Sequence, residues 1–83
     1  MKTYTYNVIA IYDDCEIEVK TNSADVAICA LMEHAERDVP VMVVDGFTGE
    51  IHAMMNCEDP WITEEWSLMV LGWLMKTTRE IEG

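Results

Sequence analysis

Residues 66 to 75 read WSLMVLGWLM, ten positions in which Ser67 is the only polar side chain. A stretch this apolar has to be covered, and a short chain owns few surfaces that can cover it. Glu64 and Glu65 precede the run and Lys76 and Arg79 follow it. A membrane-spanning helix needs about 20 predominantly apolar residues, so no membrane crossing is expected. At 100° per residue, Ile62, Trp66, Met69, Val70 and Trp73 form one stripe of the helix, and Leu68, Leu71, Leu74 and Met75 form a second on the far side. The narrow arc between them holds Glu65, Gly72, Lys76 and Arg79.

A single sheet covers only one of those stripes. With 83 residues the chain has room for one domain over positions 1–83 and for no second layer. The expected cover for the far stripe is another chain. A leucine left in water forgoes ~1.5–3 kcal/mol, which favours a homodimer through this helix, with Leu68, Leu71, Leu74, Met75, Trp66 and Trp73 at the dimer or partner interface. Gly72 inside the helix costs ~1 kcal/mol relative to alanine. It reads either as a point of close helix approach or as relief of crowding between two tryptophans.

The remaining elements follow from periodicity. Residues 3–12 alternate, with Tyr4, Tyr6, Val8, Ala10 and Tyr12 on one face, and Cys15 to Thr21 alternates again after Asp13 and Asp14. A two-residue turn then pairs Tyr12 with Cys15, Ala10 with Ile17 and Val8 with Val19. The same register sets Ile11 beside Glu16 and Ile9 beside Glu18, so the reverse side is apolar on one strand and acidic on the next. A helix follows, capped by Asn22 or Ser23, with Asp25 in its first turn and an end near Arg37 forced by Pro40. Val41–Val44 and Ile51–Met55 form a hairpin around DGFTGE, where Gly46 and Gly49 fit left-handed turn positions. Asp59 as cap and Pro60 at the first helical position open the last helix. The expected fold is α+β, ββαββα, with a four-stranded antiparallel sheet in the order 2-1-3-4 packed by two helices.

Charge limits the partners. The chain carries 16 acidic and 5 basic residues, a formal net charge of -11. That sign opposes docking on phosphates, where affinity comes from Lys and Arg displacing counterions, so neither nucleic acid nor an anionic membrane is expected and a basic protein partner is. Asp13, Asp14, Glu16 and Glu18 gather at one end and edge of the sheet as an acidic contact surface. Charges on an edge strand also deter aggregation. Cys15, Cys29 and Cys57 are an odd set without a CxxC pair, read as structural thiols in a reducing compartment. No signal peptide is legible at the start, so a cytoplasmic protein is expected.

No catalytic constellation stands out. His34 is expected solvated on the outer side of the first helix, and His52 on the surface of the last strand. His52 with Cys57, Glu58 and Asp59 matches no metal-ligand spacing, and Asp13, Asp14, Glu16 and Glu18 lack the pattern of a calcium loop. No cofactor and no enzyme activity is expected. A short acidic α+β chain of this kind is similar in broad type to accessory proteins of phages and other mobile elements, including anti-CRISPR inhibitors. That resemblance rests on size, charge and architecture and covers no motif. It implies a non-enzymatic interaction module whose carboxylates occupy a basic groove of a nucleic-acid-binding enzyme. Two alternatives are a ligand-binding protein or enzyme with a pocket lined by Tyr4, Tyr6 and Trp61, and a structural subunit of a larger assembly.

Overall fold

The hairpin register expected from alternation is present in the computed structural model, which describes residues 3–82 and the side chains of residues 3–79. Strand β1 (Tyr6–Ile11) pairs with β2 (Glu16–Thr21), setting Val8 opposite Val19, Ala10 opposite Ile17, and Ile9 and Ile11 opposite Glu18 and Glu16. The Tyr12 N–H closes the turn on the Cys15 carbonyl at 2.8 Å.

Helix α1 (Ala24–Glu36) starts where the sequence places it. The Ser23 hydroxyl accepts the Val26 N–H at 3.3 Å, and Asn22 instead holds the start of β1, its side-chain oxygen accepting the Thr5 N–H at 2.9 Å. The helix stops because Asp38 turns left-handed, φ 58°, and donates its N–H to the Ala35 carbonyl. Asn56, also at φ 58°, donates to the carbonyls of Ala35 and Val39 at 3.0 and 3.1 Å. One amide side chain thus satisfies orphan carbonyls at this helix end.

Strands β3 (Val41–Asp45) and β4 (Ile51–Met55) form the second hairpin, and the sheet is wholly antiparallel. Its order is β2-β1-β3-β4-β5, one strand more than expected. The addition is β5 (Trp61–Ile62), which pairs with Met54 and Ala53 of β4. Asp59 is therefore not a cap, and Pro60 is not the first helical residue. Thr63 caps α2 (Glu64–Glu82): its hydroxyl accepts the Trp66 N–H at 3.3 Å and its carbonyl the Ser67 N–H at 2.8 Å. Two residues gain ladder hydrogen bonds this way, and Glu64 and Glu65 enter the first turn, where negative charge favours the helix dipole.

Both helices lie on the same side of the sheet. Val8, Ala10, Val41, Val43 and Ala53 meet Ala27, Ile28 and Leu31 of α1 and Trp66 and Val70 of α2. Helix α1 lies over β1, β2 and β3, where Val8, Ala10, Val41 and Val43 are buried, whereas α2 reaches the core mainly through Trp66 and Val70 in its first two turns.

The two turn glycines differ. Gly49 has φ 78°, the left-handed position expected of it. Gly46 does not; it is needed because the backbone of Tyr4 runs against it. A Cβ there falls 1.7 Å from the Tyr4 carbonyl oxygen, beside the 2.9 Å hydrogen bond from the Gly46 N–H to Thr5. Replacement of Gly46 by alanine is expected to destabilise the protein by roughly 3 kcal/mol, at the upper end of ordinary substitutions, as read from urea unfolding; an effect under about 0.5 kcal/mol contradicts the close approach.

Candidate functional site

The long face of α2 is what the fold leaves open. A 19-residue helix is about 28 Å long, and the sheet beneath it supports only part of that length. Leu68, Leu71, Leu74 and Met75 are 64, 54, 39 and 64 % exposed. Trp66 is different: at 2 % exposure it is core, and Trp73 is half-buried against it. Neither belongs with the four exposed residues as an interface side chain, because both fall on the stripe that faces the sheet.

The helix is held by an aromatic cluster that the sequence did not reveal. The ring of His52 stacks on Trp66, centroids 5.5 Å apart and planes 17° from parallel, and Tyr6 meets Trp66 edge-on at 5.4 Å. His52 reaches this side through a register shift between β3 and β4: Val43 pairs with Ala53 but Val44 pairs with Ile51. Such a bulge rotates one residue out of alternation, so His52 is an inward residue rather than a surface one.

Asp45 completes the cluster. Its Oδ1 accepts the N–H groups of Phe47 at 2.8 Å and Thr48 at 3.0 Å, building the turn. Its Oδ2 lies 3.4 Å from Nε2 of His52, within range of a charge attraction but without the alignment of a hydrogen bond. The Thr48 and Phe47 N–H groups, with a smaller pull from His52, hold the Asp45 carboxyl below its ordinary range against an opposing effect of burial. Chemically this is an Asp–His contact whose imidazole stacks on the Trp66 ring at the start of α2.

His34 is also inward. It lies two turns past Ala27 and shares its buried face, at 8 % exposure, with Nδ1 2.7 Å from the Tyr12 hydroxyl. Among the described residues no group of three or more His, Cys, Asp and Glu side chains is placed to hold a metal, and none of the described helices is long and apolar enough to cross a membrane. Cys15 and Cys29 are exposed and Cys57 is half-buried, so the first two are not core thiols.

The acidic residues stand where alternation puts them. Asp13, Asp14, Glu16 and Glu18 are all exposed at the β1–β2 turn and along edge strand β2, with Lys20 3.3 Å from Glu18. Tyr4, Tyr6 and Trp61 do not line one pocket. Tyr6 faces the helices, whereas Trp61 pairs with Met54 and projects to the opposite side of the sheet. Compared with protein-family models, with curated proteins and with solved structures, the chain matches none of them.

A carboxyl depressed in the folded state stabilises the fold above its unfolded pKa of about 3.9 and loses that contribution as pH falls through the lower folded value. Replacing Asp45 by asparagine, which keeps the oxygen that builds the turn, is expected to flatten the loss of stability below about pH 4. Urea unfolding at pH 3 and pH 6 measures it; an unchanged slope in the variant removes Asp45 as a source of the acid sensitivity.

Proposed function

We propose that the chain is a non-enzymatic protein-interaction module that acts as a homodimer through α2 and offers its acidic edge to a basic partner. The observation that carries this reading is the uncovered stripe on α2. Glu64, Leu68, Leu71, Met75 and Arg79 fall within one outward arc at 100° per residue, and all five are exposed.

The stripe is self-complementary. Its apolar middle lies between a carboxylate at the start and a guanidinium about 22 Å further along. An antiparallel pairing of two copies about Leu71 and Gly72 sets Glu64 of each near Arg79 of the other, which is the arrangement a two-fold interface requires. Gly72 supports the same pairing. Beyond its chain neighbours the space beside it is open, with nothing within 4 Å of an added Cβ, which leaves room for a second helix to cross closely there.

The acidic edge extends the reading to function. Carboxylates at sheet spacing suit a groove that ordinarily holds phosphates, and blocking a nucleic-acid-binding enzyme is the action we infer for the dimer.

Sedimentation equilibrium at micromolar concentration is expected to give twice the 9.5 kDa chain mass, and Leu71→Asp to give the single mass with the fold retained by circular dichroism. Gly72→Leu separates packing from helix propensity: it favours the isolated helix by somewhat under ~1 kcal/mol yet weakens the dimer by blocking the crossing. A monomeric wild-type chain overturns the seam. For the acidic edge, the double reversal Glu16→Lys and Glu18→Lys is expected to abolish recovery of basic proteins from nuclease-treated host lysate while leaving the dimer mass unchanged; undiminished recovery overturns that part of the reading.

A further inference from the structure

The face of the sheet turned away from both helices is apolar where an antiparallel sheet ordinarily presents polar side chains to water. The register brings one row across it: Glu18, Ile9, Met42, Met54 and Trp61 lie side by side on β2, β1, β3, β4 and β5. Ile9, Met42 and Met54 are half-buried, and Trp61 at the end of the row is 48 % exposed. Ile11, 44 % exposed, stands next to Ile9 and opposite Glu16. A shallow apolar depression runs between Ile9, Ile11, Pro40, Met42, Met54 and Cys57.

The surroundings of the row indicate its occupant. Glu16 and Glu18 border it along β2, and Glu58 and Asp59 stand exposed in the link that leads to Trp61, so carboxylates lie at both ends. Lys20 is the cation nearest the β2 border, paired with Glu18 at 3.3 Å. A second copy of this chain brings the same negative sign and is repelled. We propose that this face binds a basic amphipathic segment of a partner protein, its apolar side chains on Ile9, Met42, Met54 and Trp61 and its Lys or Arg residues over the flanking carboxylates. The inference rests on the reading of the chain as an interaction module, but not on its dimerisation.

The geometry sets the scale of the contact. Four strand spacings separate β2 from β5, a span of about 19 Å, which matches three to four turns of helix. Methionine suits such a face because its flexible thioether adapts to different apolar partners. The apolar row also distinguishes this mode from simple charge mimicry. Contacts made by carboxylates alone weaken steeply as salt screens them, whereas an apolar row retains its share of the affinity.

The test uses the full chain and three synthetic 14-residue peptides: an amphipathic Leu/Lys helix, its Leu/Glu counterpart, and a Lys/Ser peptide of equal positive charge. Methionine-methyl NMR reports the site, since Met42 and Met54 mark the sheet face and Met75 marks α2. The Leu/Lys peptide is expected to shift Met42 and Met54 and leave Met75 in place, with affinity falling less than about tenfold between 50 and 500 mM salt; the other two peptides are expected to cause no such shifts. Trp61→Ala, which removes an exposed ring and leaves the core intact, is expected to weaken binding tenfold or more, and Leu71→Asp to leave it unchanged. Shifts at Met75 alone, equal binding of the Leu/Glu or Lys/Ser peptide, or no binding of the Leu/Lys peptide each overturns the proposal. Because Leu71→Asp is scored separately for mass and for peptide binding, failure of the dimer and failure of the sheet face are told apart.

Discussion

Everything on the helix side of this protein depends on how Trp66 is seated. Its ring lies between His52 and Tyr6 at 2 % exposure, and the two partners come from different strands, so one side chain ties the start of α2 to β1 and β4 together. His52 is available only because the β3–β4 register shifts by one residue. Asp45, which builds the adjoining turn through two backbone N–H groups, sits at the edge of the same cluster. Turn, bulge and helix anchor are therefore one connected construction.

The anchor fixes the first half of α2 and, by doing so, directs the second half outward. A helix that is apolar on two sides buries one stripe on the sheet and turns the other to solvent. The sheet has the same difficulty in another form: both helices occupy one face, and the other is left with isoleucine, methionine and tryptophan side chains among carboxylates. A domain of this size has little core to spare, so two uncovered apolar surfaces are the physical ground for reading the chain as a component of an assembly. The surfaces also differ in kind. The α2 stripe carries opposite charges at its two ends, the ground for proposing its own copy there, while the sheet face has carboxylates at both ends, the ground for proposing a cationic partner.

Much of this architecture was legible in the residues. The Asp13–Asp14 turn imposes a pairing in which apolar faces coincide, and any one-residue slip would turn Val8 and Ala10 to water. Pro40 ends α1 where the pattern stops, and the Val41–Val44 run reads as a central strand because it has no polar side to expose. What periodicity misjudged has a local cause each time. Trp61 and Ile62 look like the entry to a helix behind Asp59-Pro60, yet two ladder pairings on β4 draw them into the sheet and pass the capping role to Thr63. His34 shares the buried face of Ala27 and finds the Tyr12 hydroxyl there, a partner that lies 22 positions away in the chain. The Asp45–His52–Trp66 cluster was out of reach for the same reason, since its members come together only through the bulge.

The sequence by itself determined the α+β class, the antiparallel pairing of the first four strands, the placing of Leu68, Leu71, Leu74 and Met75 on the stripe of α2 away from the sheet, and the acidic edge at Glu16 and Glu18. These follow from local periodicity, turn chemistry and charge, which act over a few residues. Only the tertiary structure decided that Trp66 is an anchor rather than a contact residue, that Gly46 is required by the backbone of Tyr4, and that Trp61 joins Ile9, Met42 and Met54 on one open face. Those outcomes depend on bulges and cross-strand neighbours, which are set by the packing of the whole sheet and leave no periodic trace along the chain.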